Sequence, residues 1–467
     1  MMDGSTMPDA ATLHRQRRRV LISSYVGSVI EWLDFYLYTI AAASVFSVLF
    51  FPSRDPAISM IGSLSTLAVA YVVRPLGGIV YGYFGDRLGR KRMLVSSILL
   101  MGISTVLVGC LPTYEQIGIM APILLVLLRV LQGIAVAGEW GGAVLMALEH
   151  AAPRRRGLWS CFTGMGISTG LLLASGCFAL LARMPQDQFL SWGWRVPFLL
   201  ASLLIGVGLW VRLGIEESPV FLADQARIAG SRQPGAPATP GLRRQWNQVL
   251  LAFFLVMGPF AISGLKTGFL VAYAISAGFP RDVTLAATTV SSVASILCML
   301  IGGWASDVFG RRPVVIAGGV GLSVVGFFLF DIIDQKSAVM LMVAMCLVTG
   351  MHGIMYGPLG AFISELFPTR TRYTGASLSY QLAGVVGGGF GPAIAATLLA
   401  LAGGYPHAQY VVVFMVLCPI IAIIAAWMAP ETAWNDLKEA GPVNFRRSGR
   451  GKADDSSALP TAGRDAD

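Results

Sequence analysis

The sequence predicts an all-α membrane protein: twelve transmembrane helices in two pseudo-symmetric six-helix bundles. Three observations carry this. Of 467 residues, 55% are hydrophobic and only 13% charged, whereas a soluble chain carries charge on roughly a quarter of its residues. Apolar runs of about 20 residues recur along the chain, long enough for a helix to cross a ~30 Å hydrocarbon core. Finally, Gly82-Tyr-Phe-Gly-Asp86-Arg87-Leu-Gly89-Arg90-Lys91-Arg92 has a near copy, Gly303-Trp-Ala-Ser-Asp307-Val-Phe-Gly310-Arg311-Arg312, 221 residues later. A repeat at that separation points to two homologous membrane halves.

The spans fall near 20–45, 57–83, 93–111, 117–149, 157–182 and 194–213, then 247–277, 283–306, 313–331, 338–365, 373–402 and 408–429. The resulting organisation is an N-terminal tail over 1–19, a first bundle over 20–213, a linker over 214–246, a second bundle over 247–430 and a tail over 431–467. The linker holds a stretch over 231–241 too rich in Pro and Gly to span and too polar to bury. The C-terminal tail is polar and charged, and is expected to be largely disordered. No cleavable leader is expected, because the first apolar run is long, carries acids and lacks a small-residue cleavage site. The six cysteines lie in or beside apolar runs without metal-ligand spacing and read as small buried hydrophobes.

Basic residues set the orientation. The tails, the linker and the loops holding Arg87–Arg92, Arg154–Arg156, Arg311–Arg312 and Arg370–Arg372 carry 26 of the 34 Lys and Arg. The opposite side carries five, and Arg74, Arg129 and Lys266 fall within spans. Both termini are therefore expected in the cytoplasm, and the net charge of +9 is not a nucleic-acid footprint.

The repeat extends further. Gln132-Gly133 precedes Glu149, Pro153 and Arg154–Arg156; Thr349-Gly350 precedes Glu365, Pro368, Arg370 and Arg372. The following span in each half is glycine-rich, with spacings such as Gly166/Gly170 and Gly387/Gly391 that let helix backbones approach closely. These are not phosphate loops, since no Lys-Ser/Thr follows. Four scattered histidines and the absence of HExxH, GxSxG or metal-spaced cysteines argue against an enzyme or a metal centre.

Several segments together resemble the major facilitator superfamily, and within it the metabolite:proton symporter family. They are Ser28-Val-Ile-Glu31-Trp32-Leu-Asp34-Phe35-Tyr36, Arg74-Pro75-Leu-Gly77-Gly78, the Asp86 segment, and Gln132-Gly133 with Gly138-Glu139-Trp140-Gly141-Gly142. Trp192-Gly-Trp194-Arg195-Val-Pro197-Phe198, Glu217-Ser218-Pro219 and Glu365 through Ser377 complete the set, which spans roughly 20–430. Ser28, where many members carry Asn, and Lys266 depart from the family pattern. The resemblance implies two bundles around a central cavity, alternating access by rocking, and uptake of a small organic metabolite with a proton. It implies the bacterial inner membrane, no cofactor beyond the proton gradient, and function as a monomer.

Ionisable groups inside a membrane cost about 2.5–3.5 kcal/mol on insertion scales, so each needs a partner, water or a task. Glu31, Asp34 and Tyr38 fall within ~60° of one another on the first helix, with Asp34 near the midplane. Arg129, Gln132 and Glu139 fall within an ~80° arc of the fourth. Asp34, Glu31, Arg129 and Glu139 are the candidate proton-coupling group, with Asp34 or Glu31 as the carrier; a static ion pair is the competing reading. Burial favours a protonated carboxyl and a nearby guanidinium favours the ionised one, so movement of Arg129 would switch the proton.

The candidate substrate contacts are Arg74, Gln132, Tyr38, Lys266, Tyr380 and Gln381. Arg74 can grip a carboxylate with its planar fork or partner Glu31 or Asp34. Lys266 can contact substrate or snorkel to the interface. His352 can titrate or stay neutral and hydrogen-bonded. Asp86, Arg87, Arg90, Glu149, Asp307, Arg311, Arg312, Glu365 and Arg372 are the candidate gate, forming charge pairs at the cytoplasmic helix ends, where an Asp near a helix N-terminus also gains from the backbone dipole. The expected function is proton-coupled uptake of a small polar metabolite, with a carboxylate such as shikimate or a di- or tricarboxylate favoured. A zwitterionic osmolyte of the proline or betaine type and a non-transporting permease-like receptor are the alternatives.

Overall fold

All twelve expected spans are helical in the computed structural model, which describes residues 10–435 apart from 53, 55, 153, 182, 219, 224 and 226–244. The first bundle contains α1 (Arg15–Leu49), α2 (Ser65–Leu88), α3 (Arg90–Cys110), α4 (Met120–His150), α5 (Arg156–Phe178) and α6 (Gly193–Leu213). The second contains α7 (Trp246–Ser276), α8 (Val283–Phe309), α9 (Arg311–Ile333), α10 (Ala338–Glu365), α11 (Arg372–Leu401) and α12 (Gln409–Met428). The middle of the linker and the C-terminal tail beyond 435 lie outside the described residues.

Packing within each half repeats. α1 lies against α5 and α2 against α4 in the first; α7 lies against α11 and α8 against α10 in the second. The halves meet along α2 with α11 and α5 with α8, so the interface obeys the same two-fold relation. Large apolar side chains such as Leu203, Trp210, Phe327 and Trp427 remain exposed, as expected where the surrounding solvent is hydrocarbon.

The repeated segment is less of a turn than its composition implies. α2 runs to Leu88 and α3 starts at Arg90, leaving one linking residue, Gly89, at φ 104°. Gly310 does the same between α8 and α9 at φ 100°, a region open to glycine at no steric cost. Asp86 and Asp307 therefore sit in the last turns of their own helices. The end where these residues cluster is the basic end.

Among the described residues, three helices carry π segments: Ala42–Phe46 in α1, Leu265–Phe269 in α7 and Gly384–Gly389 in α11. Such bulges widen the helix locally and are frequent at functional sites.

Candidate functional site

A cavity of about 700 Å³ lies between the bundles. Its wall is formed by Trp32, Phe35 and Tyr36 of α1, Tyr71 of α2, Phe260 and Thr267 of α7, and Gly388 and Gly389 of α11, among others. These positions occupy the middle of their helices and the half away from the basic end. Both π segments of the second bundle reach this wall. The charged groups form a layer behind it.

Asp34 is the centre of that layer. Its Oδ1 accepts hydrogen bonds from the Thr105 hydroxyl and from Gln132 Nε2 at 2.9 Å, while Oδ2 has no partner. The other end of Gln132 accepts from Arg129 Nη1 at 3.1 Å. Arg129 lies over the Tyr38 ring at 4.0 Å, leaving its Nε and Nη2 without hydrogen bonds. Tyr38 in turn donates to Thr66 at 2.7 Å. Four of the six members expected on facing stripes of α1 and α4 thus meet: Asp34, Tyr38, Gln132 and Arg129. The carboxylate and guanidinium are bridged by an amide rather than paired.

Glu139 does not belong to this group. It forms a buried ion pair with Arg212 of α6 and accepts from Ser97 of α3 at 3.1 Å. Arg212 also donates to the Leu94 carbonyl at 2.6 Å. Arg212, which borders the linker in sequence, is buried within the first bundle. Helical geometry placed Glu139 beside Arg129 and Gln132 on α4, but seven residues separate it from Gln132, nearly two turns lower, where α3 and α6 supply its partners.

Arg74 and Glu31 remain without ion-pair partners among the described residues. Arg74 packs over Tyr71 at 4.3 Å and Phe35 at 5.4 Å, both cavity-wall rings, with its Nε unbonded. Glu31 is buried with Oε2 unbonded. The expectation that Arg74 directly partners Glu31 or Asp34 is not met in this conformation.

In the second bundle, Lys266 Nζ lies 3.0 Å from His352 Nδ1, and His352 Nε2 lies 3.0 Å from the Pro259 carbonyl. A carbonyl only accepts, so Nε2 carries the proton and Nδ1 accepts from Lys266. His352 is thereby the neutral, hydrogen-bonded histidine, and Lys266 points inward instead of snorkelling. The His352 ring stacks on Tyr356, whose hydroxyl meets that of Tyr380 at 2.5 Å. Tyr380 stacks on Trp140 of the first bundle, with centroids 3.4 Å apart and planes 9° from parallel. Tyr380 and Gln381 are consequently sealed in the interface on the basic side of the cavity, and not in its wall. Arg74, Gln132 and Tyr38 likewise lie behind the wall.

The basic end is closed by cross-bundle contacts. Asp86 accepts from the Tyr373 and Thr374 amides at 3.2 and 3.1 Å, in the first turn of α11. Asp307 accepts from the Gly157 and Leu158 amides at 2.8 and 2.9 Å, in the first turn of α5. Each Asp ends a helix in one bundle and caps a helix in the other, satisfying amides that have no intrahelical acceptor. The helix-dipole gain expected for these residues is therefore realised on the opposite half. Arg372 also reaches Glu149 at 3.2 Å, and Arg90 reaches the Thr369 carbonyl at 3.2 Å. Tyr373 inserts against Gly141 and Gly142 of α4, where a Cβ at either would strike its ring or hydroxyl. Its hydroxyl donates to the Gly138 carbonyl at 2.5 Å.

Two members of the expected gate lie elsewhere. Arg87 is exposed and stacks on Tyr83 at 3.7 Å, and Arg312 binds the Ala426 and Trp427 carbonyls inside its own bundle. Arg311 and Glu365, paired at 3.2 Å, also stay within the second bundle. Four contributors were missed. Glu217 and Glu431 cap the first turns of α3 and α9, with bonds of 3.0 and 2.8 Å to the Arg90 and Arg311 amides. Their neighbours Ser218 and Thr432 bind Glu149 and Glu365. The likeness of Glu217-Ser218 to Glu431-Thr432, each just after the last span of its half, was the available signal.

Two related six-helix halves, a cavity between them and cross-bundle contacts sealing one end define the architecture of a membrane transporter. The chain belongs to the Sugar (and other) transporter family, whose profile matches residues 20–235 and 242–443. Among its relatives is the inner membrane metabolite transport protein YhjE of Escherichia coli K12, 39% identical over 82% of this chain and 88% of that one. The shikimate transporter of the same strain is 38% identical over 91% and 97% of the two chains. Its proline/betaine transporter is 28% identical over 91% and 86%. The fold matches the major facilitator proton:xylose symporter XylE, bound to a bromodeoxyglucose, with a TM-score of 0.76 at 18% identity, covering 91% of this chain and 98% of that one. The resemblance read from the motifs is borne out: this is a multi-pass metabolite transporter of the major facilitator superfamily.

Proposed function

We propose that this protein is a proton-coupled symporter importing a small polar metabolite with a carboxylate, such as shikimate or a di- or tricarboxylate, across the bacterial inner membrane. Its basic end, and both termini, face the cytoplasm, in keeping with the bias of positive charge. The observation that carries the reading is Asp34: a buried carboxyl with one oxygen fully bonded, the other free, and a guanidinium held one amide away.

The free oxygen is where a proton is gained and lost. With the proton on, Asp34 is neutral and Arg129 stays with Gln132 and the Tyr38 face. With the proton off, the new negative charge draws Arg129, and the α1–α4 contact tightens. Rocking of the bundles alternates which side of the membrane supplies and receives that proton. The basic-end caps release as the cavity opens inward. Glu31, buried with its own unbonded oxygen, is the second candidate for the carrier.

The shikimate-transporting relative supports the carboxylate. The more distant proline/betaine relative supports the zwitterion reading. Purified protein in proteoliposomes tests both, with labelled shikimate and labelled proline under an imposed pH gradient. Counterflow of either compound rejects a non-transporting receptor. For Asp34→Asn, the expected result is retained counterflow with loss of gradient-driven accumulation; accumulation with unchanged pH dependence would sink the assignment.

A further inference from the structure

The charges inside the membrane do not balance, and the surplus sits in one place. Apart from the capping and cross-bundle groups of the basic end, the first bundle buries three acids, Glu31, Asp34 and Glu139, against three cations, Arg74, Arg129 and Arg212. The second bundle holds Lys266 with no acid within ion-pair distance among the described residues, and its described partner is a neutral imidazole. An uncompensated ammonium in a membrane interior is costly unless a ligand or water meets it. Lys266 is half-buried just behind the cavity wall, to which its α7 neighbours Ser263, Gly264 and Thr267 belong. It lies in the π segment Leu265–Phe269, where the widened turn sets its stem against α10. One of its three donors is committed to His352; the others are available.

We propose that Lys266 is the anchor for the substrate's carboxylate, and the residue that makes the cavity select an anion over a zwitterion. The inference rests on the transport reading above and adds the site of charge recognition. A monoanion cancels the single surplus charge. A zwitterion adds a cation to a cavity whose second-bundle wall, among the described residues, holds no acid to receive it. His352, its proton fixed by the Pro259 carbonyl, presents Nδ1 as an acceptor and keeps the ammonium oriented without neutralising it. Aromatic walls on both sides, from Trp32 and Tyr36 to Phe260, fit a compact ring or apolar frame bearing that carboxylate.

The test uses full-length protein in proteoliposomes, with labelled shikimate, benzoate and citrate set against proline and glycine betaine. Wild-type protein is expected to prefer a carboxylate. Lys266→Met is expected to weaken its apparent affinity by at least about thirtyfold, the scale of removing one partner of a buried charge pair. Lys266→Arg should recover most of that loss. In detergent without ligand, Lys266→Met should melt at the wild-type temperature or above it, since it removes an unneutralised charge. Carboxylate affinity unchanged in Lys266→Met, or a wild-type preference for the zwitterions, overturns the anchor while leaving transport intact. A wild-type protein that moves none of the five compounds counts against the transport reading and the anchor together.

Discussion

Arg129 and Asp34 meet only through Gln132, whose amide accepts from the guanidinium at 3.1 Å and donates to the carboxylate at 2.9 Å. This differs physically from an ion pair. A direct pair would hold the carboxyl ionised; a bridged one leaves an oxygen free for a proton and a cation within one side-chain rotation. Gln132 is fully buried, so water does not substitute readily for it.

Gln132→Ala should therefore uncouple the protein more than it weakens it. With the bridge removed, Arg129 can pair with Asp34 directly. The expected outcome is a roughly tenfold or greater loss of gradient-driven accumulation, equivalent to about 1.4 kcal/mol, with counterflow largely preserved. Equal losses in both assays would place Gln132 in substrate binding instead.

The Glu139–Arg212 pair should behave as structure. Removing one partner leaves an uncompensated buried charge, which costs on the order of 3–5 kcal/mol. Glu139→Gln and Arg212→Met should each lower the melting temperature in detergent strongly, and the double variant should recover part of the loss. An additive double variant would show that the two side chains do not stabilise each other.

The crossed caps should set the balance of conformations. An N-cap contributes about 0.5–2 kcal/mol, so Asp86→Asn is expected to shift the population toward opening at the basic end by roughly 2- to 30-fold. Asp307→Asn should shift it the same way, because it caps α5 as Asp86 caps α11. Thiol labelling reads this out in a background without native cysteines: reactivity at Thr39→Cys, in the cavity wall, should fall in both variants. Labelling indistinguishable from the parent would argue against gating by the caps.

The Trp140–Tyr380 stack closes the space between cavity and basic end, and its removal should make that barrier leaky. In Trp140→Ala, a thiol reagent added from the basic side should reach Thr39→Cys faster than in the parent. Identical rates would assign the barrier to the charged layer alone.

Much of the fold and part of the site were legible without coordinates, for a definite reason. Membrane spans announce themselves through local composition, and a duplicated segment fixes how many there are to each half. Asp34, Gln132 and Arg129 stood out because polar groups inside apolar runs are rare. Arg212 did not, because it lies one residue from a helix end and looks like an ordinary boundary charge. Glu139 was assigned to the wrong neighbours because helical periodicity reports the direction of a side chain and not the depth at which another helix meets it.

What the sequence determined by itself is the twelve-helix duplicated architecture, the side on which positive charge gathers and the short list of buried ionisable groups. These follow from hydropathy, repetition and the cost of charge in hydrocarbon, all readable along one chain. Only the tertiary structure decided who partners whom. It bridged Asp34 to Arg129 through an amide, gave Glu139 to Arg212, crossed Asp86 and Asp307 onto the opposite bundle and set Lys266 against His352. Partnership depends on which helix faces pack at which depth, and that information is shared among residues far apart in sequence, written in none of them singly.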